Sequence, residues 1–328
     1  MPTAMPTSTP MRTPSPITER AIALVADRRP IAERLGADMA GLVGDPDAFA
    51  VALAAGLRDL ADPEYAAGQQ RIAPGIGRVF GVRWPLLAAV SRGFRTATRR
   101  DRTGGLLYLC DRLFHEPELE MRWFSFGLLE RLVVDDAERS WQLLRRAARE
   151  AGDWITVDSL AHPVGRGILR EPYRWAELEQ LVYSPSRWER RLVGSTIATI
   201  PFVDRRLGRE PAVATRALSI LGDLIGDAEP DVQKALSWAL RSLTLVDAPA
   251  VADFASAQAE IARTTEDGLR AWVIRDMLPK MPPEMAAETR SHLDGIRRKP
   301  GARSTSRAAE TAARSPICRS VRPSQNHP

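Results

Sequence analysis

Two stretches of the chain gather side chains that can do chemistry. The first, GDWITVDSLAHPVGRGI, runs from Gly152 to Ile168 and sets Trp154 four residues before Asp158. At about 100° per residue on a helix these two share one face, which Gly165 rejoins further on. Val157, Leu160, Val164 and Ile168 form a separate apolar stripe roughly 100° away, the side a helix buries. Trp154 and Asp158 are therefore expected at the lip of the buried seam. A core indole and an acid near a helix N-terminus, where the macrodipole suits negative charge, would read the same way. The second stretch, EPDVQKALSWALRSL, places Trp238 between Lys234 and Arg241, opposite an apolar stripe of Val232, Ala235, Leu236, Ala239 and Leu243. An indole displayed between two cations suits a flat, electron-poor ring in an anionic polymer, where stacking, cation–π attraction and phosphate contacts act together. The alternative is that another helix covers that face.

Between the two lies a local excess of positive charge. Arg187, Arg190 and Arg191 cluster in one helical sector, followed by Arg205, Arg206 and Arg209, against Glu189 and Asp204. A run of charge is usually a solvated face, but this one sits within an otherwise slightly acidic region. The remaining tryptophans, Trp84, Trp123, Trp141, Trp175, Trp188 and Trp272, are expected in the core, Trp272 because it projects with Leu269 and Val273.

The elements that must position these residues are helices. After Pro85 the apolar spacing predicts helices over 85–99, 103–114, 117–133, 136–150, 153–169, 172–182, 185–200, 208–225, 229–243, 248–262, 265–279 and 284–297. No run shows the period-two alternation of a strand, so the class is all-α. Upstream, a helical pattern spans Ile17 to Leu42 with a kink or restart expected at Pro30, and another helix opens at Asp45-Pro46-Asp47 and runs through Leu60. Gly75, Gly77 and Gly81 resemble a phosphate loop only superficially, since no strand precedes them. Helices that open on a base and then turn apolar recur with Arg122, Arg191, Lys234 and Arg270 as landmarks, at intervals of 69, 43 and 36. Such spacing fits stacked helix pairs, a curved solenoid with a concave face.

A chain of 328 residues can bury a substantial core. Its basic character is local: residues 297–328 hold eight bases and one acid, a net of +7, leaving residues 1–296 at −2. Residues 1–15 and 299–328 read as tails without fixed structure around a helical domain at 16–298, the second tail strongly basic. Cys110 and Cys318 make no disulfide framework, and His115, His162, His292 and His327 lack ligand spacing, so no metal and no cofactor are expected. With no apolar leader or membrane span, a cytoplasmic monomer that does not engage membranes is expected.

In this order the segments resemble the AlkD-like DNA alkylation repair family, HEAT-like-repeat glycosylases that remove alkylated purines. The resemblance covers about residues 62–279 and rests on RVFGVRWPLL, HEPELEMRWFSFGLLERL, DWITVDSL, SRWERRL and VQKALSWALRSL. It implies a curved all-α solenoid whose concave face takes double-stranded DNA carrying alkylated bases, with the protein associated with the nucleoid when bound. By resemblance Asp158 is the catalytic carboxylate, Trp154 and Trp238 contact the lesion, and Arg191 binds a neighbouring phosphate; Arg187, Arg190, Lys234 and Arg241 are further DNA-contacting candidates. The chain departs from the family where an aromatic and a Lys help enclose the lesion: Ile72 and Pro74 stand there.

A glycosidase normally needs an acid for the leaving group as well as a second carboxylate. An N3- or N7-alkylated purine is already cationic and leaves without one. Asp158 alone would then stabilise positive charge on the deoxyribose and hold a water. The resemblance also implies action without full base extrusion. Two other readings stay open on the sequence: a catalytically silent DNA-binding protein, and a helical-repeat scaffold whose groove takes a peptide.

Overall fold

The computed structural model describes residues 15–314. Sixteen α-helices and no β-strand form among them, with a single isolated bridge between Arg78 and Glu118. The helices start where chain chemistry starts them. Asp45, Asp136, Asp153 and Asp247 each turn a carboxylate onto a backbone N–H three residues on. Proline occupies the first turn where its missing N–H is no loss, as at Pro46 and Pro230.

The chain divides into two compact units. The first holds α1 (Pro16–Asp38), α2 (Pro46–Asp59), α3 (Pro63–Ile72) and α4 (Trp84–Ala97). Here α1 packs on α4 through reciprocal glycines: a Cβ on Gly36 would meet the carbonyl of Val90, and one on Gly93 the carbonyl of Glu33. Contrary to expectation, α1 runs unbroken through Pro30. Both Pro30 and Ala26, whose carbonyl loses its helical donor, are exposed, so water takes the place of the missing bond. Pro63 opens α3 directly after the buried Asp62.

The second unit holds α5 (Thr103–Phe114), α6 (Leu119–Asp135), α7 (Ala137–Glu150), α8 (Trp154–Arg170), α9 (Trp175–Gln180), α10 (Arg187–Val203), α11 (Pro211–Leu224), α12 (Pro230–Leu243), α13 (Ala248–Thr264), α14 (Gly268–Met277), α15 (Pro283–His292) and α16 (Arg307–Arg314). It is a helical-repeat array. The second helices of successive pairs stack in order, α6 on α8, α8 on α10, α10 on α12 and α12 on α14. Their registry shows in side-chain bonds that link residues 36 to 39 positions apart: Trp123 to Ser159, Arg190 to Asp227, Ser237 to Asp276. α10 is central, with every residue from Arg191 to Pro201 buried.

Two expectations fail here. Of the tryptophans assigned to the core only Trp141 is buried; Trp84 is 61% exposed, and Trp123, Trp175, Trp188 and Trp272 are half-buried. A two-layer array is thin, and a large indole at a helix edge keeps part of its ring in water. The basic C-terminal tail was expected to lack fixed structure from 299, yet residues 299–314 are placed, α16 among them. Residues 1–14 and 315–328, including Cys318 and His327, lie outside the described residues.

α10 and α12 meet closely at Gly194, where an added Cβ would lie 2.8 Å from the Cβ and carbonyl carbon of Ala235. Gly194→Ala should force α10 and α12 apart and cost about 1–3 kcal/mol, read as a lower urea midpoint.

Candidate active site

Asp153 fixes the start of α8 by accepting the Thr156 N–H at 2.8 Å, which makes Trp154 the first helical residue. One turn on, Asp158 faces α10. There Arg191 donates from Nε to Oδ1 at 3.0 Å and from Nη2 to Oδ2 at 2.7 Å, a bidentate fork. Ser195, a turn later, donates its hydroxyl to Oδ1 at 2.5 Å. The remaining Arg191 nitrogen, Nη1, reaches α12 and donates to the Asp231 carbonyl at 2.6 Å. One guanidinium therefore ties three helices together. The Trp154 ring lies beside it, centroid 5.7 Å from the guanidinium carbon. On the other flank, Trp123 donates its indole N–H to Ser159 at 2.7 Å.

The Asp158 side chain keeps 19% of its surface exposed and Arg191 only 7%. An ionised carboxylate offers about four acceptor directions. Arg191 and Ser195 take three, which leaves one, on Oδ2, for water or a ligand. Among the described residues no group of three His, Cys, Asp or Glu is placed to hold a metal ion.

On α12, Lys234 is exposed and Trp238 and Arg241 are half-buried, one solvent-facing stripe as their spacing predicts. Arg241 is held from α14: its Nη1 donates to the Asp276 carboxylate at 2.5 Å and to the Asp276 carbonyl at 2.9 Å. Ser237 donates to the same carboxylate at 2.6 Å. Burial alone would push the Asp276 carboxyl up, but the hydrogen bonds from Ser237 and Arg241, with the charges of Arg241 and Lys234, hold it below the ordinary carboxylate value.

The structure thus gathers Trp154, Asp158 and Arg191 into one cluster. It sets Lys234, Trp238 and Arg241 on a helix that Arg191 bonds directly. It removes Arg190 from both, because that guanidinium is taken up by the Asp227 carboxylate at 2.7 Å and the carbonyls of Ser184 and Pro185. Arg190 is a structural residue here, not a free DNA contact; one position along a helix turns a side chain about 100°. Arg187 stays exposed, stacked on Trp188 and 3.6 Å from Glu229. Arg191 faces Asp158 rather than solvent. Ile72 is 79% exposed at the end of α3, and Pro74 is exposed beyond it. Ser195 was missed in the sequence although it lies four residues after Arg191, the spacing that shares a helix face; the Asp231 carbonyl has no side-chain signal at all.

The fold is thus a helical-repeat array with one oriented carboxylate, held by Arg191 and Ser195, near the Trp154 ring. The chain belongs to the DNA alkylation repair enzyme family, whose model matches residues 53–280. DNA is accordingly its partner and repair its role. Among curated proteins none matches the chain. No described helix is long and apolar enough to cross a membrane.

Arg191→Met leaves Asp158 without its counter-charge and should cost about 3–5 kcal/mol, whereas Arg191→Met with Asp158→Asn should cost clearly less; a double-variant loss equal to the sum of the two single losses, read from urea midpoints, would show that the pair is not coupled. Asp276 gives a pH signature. Its folded-state pKa is depressed, so its contribution is present above the unfolded value, about 4, and is lost as pH falls through the folded one. Arg241→Gln should lower Tm at pH 7, and the gap to the unsubstituted protein should narrow below about pH 4.

Proposed function

We propose that the protein is a DNA glycosylase that hydrolyses the N-glycosidic bond of N3- or N7-alkylated purines in duplex DNA. The observation that carries this reading is the Asp158 carboxylate, oriented by Arg191 and Ser195 with one acceptor direction open beside the half-buried Trp154. The bond from the anomeric carbon to the purine nitrogen breaks with its electron pair going to the base. Because the alkylated purine begins with a positive charge, it departs neutral and needs no proton donor. The charge passes to the deoxyribose, where the open side of Oδ2 stabilises it and holds the water whose oxygen bonds to the anomeric carbon. The water's proton then passes to the carboxylate and on to solvent.

Trp154 and Trp238 favour the cationic nucleotide through their ring faces. Arg191 and Ser195 are positioning residues, and phosphate contacts fall to the more exposed Lys234, Arg187 and Arg241. The sugar and backbone are engaged along a concave face of the array, without full extrusion of the base. Bulky adducts are then accepted, since no closed pocket has to contain them.

Duplexes carrying 7-methylguanine or 3-methyladenine test the reading. The protein should release the base in a single turnover, and Asp158→Asn should slow release by roughly 10²–10³-fold while binding of abasic-site duplex stays within a few-fold. Undiminished release by Asp158→Asn would overturn the assignment of the carboxylate. Tight binding with no release by the unsubstituted protein would leave a DNA-binding protein without glycosylase chemistry.

A further inference from the structure

Beyond the residues that match the family, the chain returns to the array. The backbone carbonyl of Arg297 packs where any Cβ on Gly268 would sit, at the first residue of α14. Farther on, the Thr305 N–H donates to the Gly226 carbonyl at 2.9 Å, and Ser304 accepts the Ala228 N–H at 2.9 Å, both in the turn before α12. The Thr305 hydroxyl also bonds the Asp267 carboxylate in the turn before α14. Ser306 and Ala308 are then 1% and 2% exposed. Residues 297–308 therefore form a strap fixed at both ends across two successive inter-helix turns.

The span between these anchors is basic and outward. Arg297, Arg298, Lys299 and Arg303 are all exposed. Arg298 donates to the Gln233 side chain at 3.1 Å, next to Lys234 in the first turn of α12. Arg297 pairs with the exposed Asp294 at 3.7 Å and donates to the Ile296 carbonyl at 3.4 Å, and Lys299 and Arg303 form no ion pair among the described residues. Arg298 thus lies at the first turn of α12, and Arg297 meets the first residue of α14 through its backbone carbonyl. The Arg297 charge already presses on Arg275, whose pKa burial and that charge both lower. An anionic partner of extended shape would relieve this arrangement.

We infer that the strap is a preformed contact for the phosphate backbone of duplex DNA, which extends the Lys234 stripe of α12 along one flank of the bound duplex. It rests on duplex DNA as the partner and not on base release, so its test uses undamaged duplex, where no chemistry takes place. Each phosphate neutralised contributes about −0.9 to the slope of log K against log salt. The triple variant Arg298→Gln, Lys299→Gln, Arg303→Gln, with an unchanged Tm, should make that slope shallower by about two to three. The variant Thr305→Val with Ser304→Ala keeps every charge but loosens the strap by removing its side-chain bonds to Ala228 and Asp267; it should keep most of the slope and bind more weakly, because the segment must then be ordered further on binding. An unchanged slope in the triple variant would overturn the contact. Affinity equal to the unsubstituted protein in the loosened variant would overturn its preformed character. Either result stands apart from whether methylated bases are released.

Discussion

Everything at the site depends on one ion pair that crosses a helix joint. Withdrawing Arg191 and Asp158 from water costs several kcal/mol per ion unless geometry and extra hydrogen bonds offset it. The protein provides both: a bidentate fork, a serine hydroxyl on the shared oxygen, and a backbone carbonyl for the remaining guanidinium nitrogen. Such short contacts need closely spaced helices, and the residues around them are small. Gly194 lets α12 approach α10, and Gly165 of α8 lies where a Cβ would be 3.3 Å from Ile200 of α10. Packing and electrostatics are therefore one constraint: a larger residue at either glycine would lengthen the bonds that aim the carboxylate.

The same device recurs along the array. Between α6 and α8 the link is Trp123 to Ser159, between α8 and α10 Arg191 and Ser195 to Asp158, between α10 and α12 Arg191 to the Asp231 carbonyl, and between α12 and α14 Ser237 and Arg241 to Asp276. In a repeat array each unit contacts mainly its neighbours, so relative placement over several repeats is the product of successive local joints. Apolar faces alone permit neighbouring helices to slide; a directional bond at every joint fixes their register. That is how the placement of residues on α8 and α12, separated by the whole of α10, is fixed.

Much of this was readable in the residues. The 3.6-residue spacing located nearly every helix after Pro85, and second helices that open at Leu119, Trp154, Arg187, Pro230 and Gly268 underlie the repeat that the basic landmarks traced. Trp154 and Asp158 were legible because an i, i+4 pair must share a face. Exposure was less so: a helical wheel gives direction relative to the helix's own seam, but which neighbour covers a face is a tertiary fact, hence the half-buried tryptophans. Arg190 and Arg191 read alike as sequence and differ only because Asp227 and Asp158 lie on different sides of α10. The strap was hidden for another reason. Its composition is that of a solvated tail, and its anchors are backbone groups and small hydroxyls that leave no hydrophobic pattern.

The neutrality of the Arg191–Asp158 pair bears on how a site with one carboxylate can favour a transition state over a ground state. Seen from afar, the guanidinium cancels the acid. A cation roughly 7 Å from Oδ2, with the guanidinium about 4 Å beyond, gains about 1 kcal/mol at an effective dielectric near 20; at roughly 3 Å the gain is about 3 kcal/mol. In the proposed reaction the alkylated base carries its charge at the larger distance before the bond breaks, and the sugar carries it at the smaller one afterwards. The ion pair then attracts the intact lesion weakly and the developing sugar cation strongly, and only that difference accelerates the chemical step. A bare carboxylate would bind both more tightly, by about 2 and 6 kcal/mol at the same dielectric, so the guanidinium removes the larger share of the attraction at long range. On this view Arg191 mutes the long-range field of Asp158 and holds the carboxylate in place, and part of the difference between the two distances is lost in return.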